Sequence, residues 1–207
     1  MIGAELLAAA AMLFPGDACL SDKPEVHVAI TWRSLAMPEA LRVTVEREAE
    51  TIWRRLGVAL RWDAPADLSA AAVISVIVAD ENAPRANSPA QANLGWIVFH
   101  GATPSKTIYV SAPAALEMAS QARTFERLMN GQPLAARRIV AARLLGRAVA
   151  HELGHYLLRS RTHTASGLMR PMFPASEAFV PLLDRYRLPP THVALLRLGM
   201  QVPCWDR

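Results

Sequence analysis

The chain has 207 residues, 52% of them hydrophobic and 19% charged, and carries a formal net charge of +4. That is enough apolar material for one large domain with a real core, and it excludes a disordered tail, a collagen-like repeat and a coiled coil. The basic balance rests on scattered arginines, with only two lysines (Lys23 and Lys106), so there is no basic stripe with interleaved aromatics of the kind that binds nucleic acid.

In chain order, Ile2 to Phe14 is apolar apart from Glu5, and Gly16 and Ala18 are small residues placed to suit signal-peptidase cleavage before Cys19. Residues 1–18 therefore read as a signal peptide and the protein as exported to the periplasm or beyond. The absence of Lys or Arg before the run, and Glu5 within it, keep a cytoplasmic reading open. The run is too short to span a bilayer, and no second stretch reaches that length. Cys19 and Cys204 are too few for a disulfide scaffold; one bridge between the ends and two free thiols are both compatible with the sequence.

Glu25 to Thr31 largely alternates polar and apolar, as a strand does. Met37-Pro38-Glu39 opens a helix with proline in its first turn, whose stripe of Leu41, Val45, Ala49, Ile52 and Trp53 runs out near Gly57. Val58 to Trp62 is a second strand, and the β-branched run Ala71 to Ala79 a buried central one. After a polar loop over Asn82 to Asn93 come strands at Leu94 to His100 and Thr107 to Ser111, separated by a turn around Gly101 to Lys106. Helices follow over Pro113 to Met129 and Leu134 to about Leu158, broken at Asn130-Gly131-Gln132-Pro133. The rest is irregular and proline-rich to Pro190, ending in a short helix near Thr191 to Leu198. This order predicts one α+β domain over 19–207, with a mixed twisted sheet of about five strands and two or three long helices. A small C-terminal subdomain would begin at 159, and its long irregular path marks it as functional.

Three of the six histidines fall within thirteen residues: His151, His155 and His163. His151-Glu152-Leu153-Gly154-His155 is the His-Glu-x-x-His pattern. Residues four apart share a helix face, so both imidazoles can reach one metal ion, while Glu152 lies about 100° round the helix, placed for proton transfer rather than ligation. Buried late in an apolar helix, two imidazoles and a carboxylate would be costly without a metal or partners. A catalytic zinc site takes three protein ligands, and His163 is the third candidate, reached after a polar reversal at Arg159-Ser160-Arg161-Thr162. Gly167-Leu168-Met169 then reads as a tight turn that would place Met169 beneath the imidazoles. Glu177, 22 residues after His155, is the alternative third ligand.

On His151-Glu152-x-x-His155, the following His163 and the Gly167-Leu168-Met169 turn, the chain resembles the metzincin clan of zinc metallopeptidases. It is most similar to compact bacterial members with a Leu-Gly-Arg-Ala-x-Ala run, here Leu145 to Ala150. The specific likeness covers about residues 144 to 173, and the upstream element order is compatible with the clan's N-terminal subdomain. Two features depart from its pattern: Leu158 stands where the clan has glycine, and His163 follows His155 by eight residues rather than six. Two extra residues would relax the left-handed turn that otherwise demands glycine.

The resemblance implies a zincin-like fold and a zinc-dependent endopeptidase with one Zn²⁺ on His151, His155 and His163. Glu152 would be general base and acid, and Met169 the floor of a Met-turn. Tyr186, downstream of that turn, is a candidate oxyanion donor. The strand Leu94 to Phe99 would be the edge that pairs with extended peptide. Tyr156 and Trp96 and Phe99 are expected in the core, Arg147 in a structural ion pair, and His27, His100 and His192 as isolated histidines. A peptide or protein is the expected partner, with neither nucleic acid nor a membrane span. A non-catalytic zinc-binding or protein-binding domain on the same scaffold is the alternative, although it would have no need of Glu152.

Overall fold

Alternation of period two, interrupted by stripes of period 3.6, builds a sheet with helices laid against it. In the computed structural model, which describes residues 26–33, 37–63, 72–79, 94–121, 134–174, 177, 179 and 183–201, this gives an α+β fold. The strands are β1 (Val26–Trp32), β2 (Val58–Trp62), β3 (Ala72–Val78), β4 (Gly95–His100) and β5 (Thr103–Val110). The helices are α1 (Glu39–Arg54), α2 (Ala112–Gln121), α3 (Leu134–Leu158) and α4 (Pro190–Gln201), with a single 3-10 turn at Leu183–Tyr186. The expected signal peptide, Cys19, Cys204, the loop over Asn82 to Asn93 and the helix beyond Gln121 lie outside the described residues.

The sheet order is β2-β1-β3-β5-β4, parallel except for β4, which runs antiparallel to β5 and forms an edge. The sheet is therefore mixed, as the sequence implies. Alternate residues Val28 and Ile30, Val58 and Leu60, Ile74 and Val76, and Ile108 and Val110 meet the buried faces of the helices in one core. From α1 that core takes Val45, Ala49, Ile52 and Trp53, the stripe legible in the sequence. Pro38 sits one position outside α1 rather than within it; its carbonyl accepts from the Leu41 and Arg42 amides and so starts the helix. Ser111 does the same for α2, its Oγ accepting from the Ala114 amide at 3.3 Å.

Two expectations are corrected. β3 is central but not buried on both faces: Ile74 and Val76 are fully buried, whereas Val73, on the opposite face, is 37% exposed among the described residues. β5 begins at Thr103 rather than Thr107, running through Pro104, which pairs with Phe99 across a register shift at the sheet's edge. The edge hairpin tolerates a residue without an amide donor where a central strand would not.

α3 is the spine of the molecule, with every residue from Leu144 to Leu157 buried. Its close approach to α1 depends on Gly146, where a Cβ would lie 2.6 Å from the Val45 carbonyl oxygen. The buried Arg147 donates to Glu48 of α1 at 2.7 Å, the structural ion pair expected of it, and its guanidinium also lies over the Tyr186 ring. Trp53 of α1 donates its indole N–H to the Ala150 carbonyl at 3.1 Å. These contacts fix the rotation and depth of the helix turn that carries His151 and His155. Among the described residues no helix is long and apolar enough to cross a membrane.

Candidate metal centre

His151 and His155, one turn apart on α3, are both buried and set their rings edge to face. The chain then has to return a third histidine to them. α3 closes on two bonds, Ser160 N–H to His155 O and Arg159 N–H to Tyr156 O, both 3.2 Å, with Arg159 left-handed at φ +49°. This is the Schellman arrangement, which normally places glycine at the left-handed position. The sequence led to the expectation that the two extra residues would relax that turn; instead the left-handed position persists and moves one residue on, from Leu158 to Arg159. The reversal also brings the Ser160 carbonyl to 2.6 Å from His155 Nδ1.

Three residues further, His163 stacks on His151 and meets His155 edge-on. The Nε2 atoms stand 3.0 Å apart for His151 and His155, 3.2 Å for His155 and His163 and 3.3 Å for His151 and His163. Tetrahedral ligands about 2.0–2.1 Å from a common zinc ion stand about 3.3 Å from each other, so the spacing fits. The protonation pattern fits as well. His151 Nδ1 donates to the Leu168 carbonyl at 2.7 Å and His155 Nδ1 to that of Ser160, which fixes both Nε2 atoms as acceptors. Two acceptor lone pairs facing each other at 3.0 Å repel, and a cation beside them would relieve that repulsion.

Burial, reinforced by the neighbouring histidines, pushes His151 down to about 3. His155 falls to about 4, chiefly by burial against the Ser160 bond, and burial lowers His163 as well. All three are therefore neutral at physiological pH, the form that binds metal. Among the described residues they form the group of histidine, cysteine and carboxylate side chains able to hold an ion.

Glu152 is buried beside this cluster and against β4. A Cβ on Gly95 would lie 3.4 Å from its Cγ, and the Ile97 amide bonds its carboxylate. Desolvation outweighs that bond and raises Glu152 to about 8.

The turn below the histidines is built as the Gly167-Leu168-Met169 pattern implies. Gly167 is left-handed at φ +83°, and a Cβ there would strike the Arg187 carbonyl oxygen. The Leu168 amide donates to that same carbonyl, and the Thr164 amide to Met169 O, closing the loop that carries His163. Met169 is fully buried, and its Sδ would lie 2.4 Å from a Cβ on Gly154, the small residue between the two histidines. Met169 thus packs directly against the histidine-bearing turn of α3. Gly154→Ala is expected to cost about 1–3 kcal/mol in thermal unfolding, by overpacking against Met169. The Gly154→Ala, Met169→Ala double variant should cost less than the two single losses combined.

Other candidates fall elsewhere. Glu177 is not with the histidines: Arg170 and Arg185 bond its carboxylate, the latter at 3.0 Å, and the Tyr186 hydroxyl donates to it at 3.0 Å. Burial alone would raise Glu177, but these three donors hold it below the usual carboxylate range. Glu177 therefore lies apart from the three imidazoles, and two guanidiniums already satisfy its carboxylate. Tyr186 is buried, raised by that burial, and directs its hydroxyl to Glu177. Its ring reaches the metal cluster only through Phe173, which lies 5.5 Å from Tyr186 and 5.6 Å from His151 between centroids. Tyr156 is buried in the core, while Trp96 and Phe99 are half-buried on β4. His27, His100 and His192 lie outside the cluster.

Sequence reasoning missed Phe173 and the arginines gathered round Glu177. No spacing rule flags them, because they converge from an irregular segment. The chain matches no protein-family model, no curated protein and no solved structure.

Proposed function

We propose that the protein is a zinc-dependent endopeptidase of the metzincin type, with a zincin-like fold. The observation that carries this reading is the convergence of three neutral imidazole Nε2 atoms at zinc-ligand spacing, with a buried carboxyl one residue after the first of them. His151, His155 and His163 would hold the ion. Zinc there would supply Lewis acidity, polarising a peptide carbonyl and making a nearby water more acidic.

The chain's own residues do the rest. Glu152, with a proton affinity poised near neutrality, accepts the proton of the attacking water and delivers it to the departing amine. The carbonyls of Leu168 and Ser160 hold the two helix imidazoles in the tautomer that presents Nε2. Met169 keeps the floor dry and rigid. β4, an edge strand whose Ile97 amide already reaches Glu152, would align an extended peptide alongside the carboxylate.

The test is zinc titration followed by digestion of an unfolded protein substrate. One zinc per chain is expected, with cleavage that a chelator abolishes and added zinc restores. Stoichiometric zinc without cleavage of any peptide would leave a non-catalytic zinc-binding domain, and no zinc after metal-replete purification would overturn the metal site itself.

A further inference from the structure

We infer that Arg170 and Arg185, bridged by Glu177, form a carboxylate-binding subsite one aromatic ring away from the histidine cluster. Resting on the peptidase reading, this makes the favoured substrate a peptide with a carboxylate close to the bond that is cut.

The charge count comes first. Residues 159–187, the stretch of sequence that follows α3 and contains His163, hold five arginines and two acidic residues, a net +3 of the chain's +4. Within that segment two guanidiniums share the single carboxylate of Glu177, which is itself buried. One positive charge is left over in this network, and Arg185 carries it outward: its side chain is 57% exposed. Only one arm of the Arg185 fork, NH1, is used on Glu177 among the described residues, so the planar donor pair that suits a second carboxylate stays open.

Arg170 is held differently. Its guanidinium lies over the rings of both Phe173 and Tyr186, and its buried Nε has no hydrogen-bond partner among the described residues. A buried donor without an acceptor is a cost that added negative charge nearby would reduce. Phe173 is the link to the histidine cluster, its ring perpendicular to that of His151 and its face under Arg170. A substrate side chain passing Phe173 from the reacting centre meets guanidinium next. Glu177 keeps two like charges together and leaves one unspent, an arrangement that a wholly structural ion pair would not need.

The test uses the zinc-supplemented Glu152→Gln protein, so that binding is read without cleavage. Acetylated, amidated decapeptides differing only by Glu or Gln at one scanned position are titrated at low salt, alongside the same Gln peptides with a free C-terminus. At one position the Glu peptide should bind about tenfold tighter than its Gln twin, as a charge-assisted contact allows. That ratio should fall to one in Arg185→Gln and below one in Arg185→Glu, in proteins whose melting confirms folding. A preference that appears only with the free C-terminus would assign the subsite to the chain-terminal carboxylate instead of an acidic side chain. Equal binding of all twins by the parent protein, or a ratio unchanged by both Arg185 variants, would overturn the subsite. Because no turnover is needed, that failure is distinct from failure to cleave: a carboxylate preference in this variant, with no hydrolysis of the same peptides by the zinc-loaded wild type, would sink the peptidase reading alone.

Discussion

A Glu152→Gln protein should bind zinc as the wild type does and cleave peptide about 10²- to 10⁴-fold more slowly, the range spanned by loss of a positioned general base. The substitution is close to isosteric, and Glu152 is not among the side chains whose donor atoms converge. Its carboxylate accepts from the Ile97 amide, a bond that a glutamine oxygen can still accept. The metal cradle should therefore survive, and what is lost is the ability to take up and return a proton. Zinc content and kcat measured on the same preparation check both halves. Near-wild-type turnover would remove Glu152 from the mechanism, and loss of zinc would make it part of the cradle.

The same variant has a signature in the metal-free protein. Glu152 titrates near 8 in the fold against 4.5 in the unfolded chain, so the folded state holds its proton more tightly. Its contribution to stability is complete below about pH 4.5 and is lost as pH rises towards 8. His151 and His155 act with the opposite sign. Lowered to about 3 and 4 by burial, they cost nothing above pH 6.5 and destabilise the fold as pH falls through those values. Metal-free wild type should accordingly melt highest near pH 6.5. Glu152→Gln should keep the acid limb and flatten the alkaline one, which a pH series of thermal melts would show.

The contrast between α3 and the segment after it explains what a sequence can reveal. Helix limits at Leu134 and Leu158 were legible because a proline-containing break precedes the first and a polar reversal follows the second. Val58–Trp62 was equally clear, bounded by Gly57, which is left-handed, and by a turn at Asp63. His151, Glu152 and His155 could be placed together because helical spacing alone brings two imidazoles to one face. His163 was a candidate from the polar reversal before it, but that reversal from Arg159 to Thr162 obeys no periodicity, so its return to the helix histidines was not legible from spacing alone. The Nδ1 acceptors could not be read at all: they are backbone carbonyls of Leu168 and Ser160, which carry no side-chain identity. Glu177 shows the complementary limit. As an acidic residue downstream of the motif it is an acceptable zinc ligand by type. Its real partners come from either side of it, Arg170 just after Met169 and Arg185 and Tyr186 in the 3-10 turn, where no periodicity announces them. Val73 was misread because a β-branched run looks the same whether helices cover one face of the sheet or both.

His163→Ala should weaken zinc binding by more than 100-fold, since loss of a group merely supporting a ligand already costs about 10- to 100-fold. The substitution is well placed to report on the metal alone. His163 is the most exposed of the three, so its ring contributes little to the core, and the two helix imidazoles keep their carbonyl partners. The metal-free variant should melt close to metal-free wild type, whereas added zinc should raise the melting point of the wild type only. A ligand that binds the folded state alone stabilises by RT ln(1 + [L]/Kd), so the missing shift measures the lost affinity directly. Glu177→Ala supplies the opposing case. It should retain zinc but lose stability, because it strips a buried carboxylate from Arg170, Arg185 and Tyr186 and leaves two guanidiniums facing each other. If His163→Ala kept full zinc affinity and Glu177→Ala lost it, the convergence of three imidazoles would not be the metal site. If both kept it, the ion would rest on His151 and His155 with a ligand the chain supplies from elsewhere.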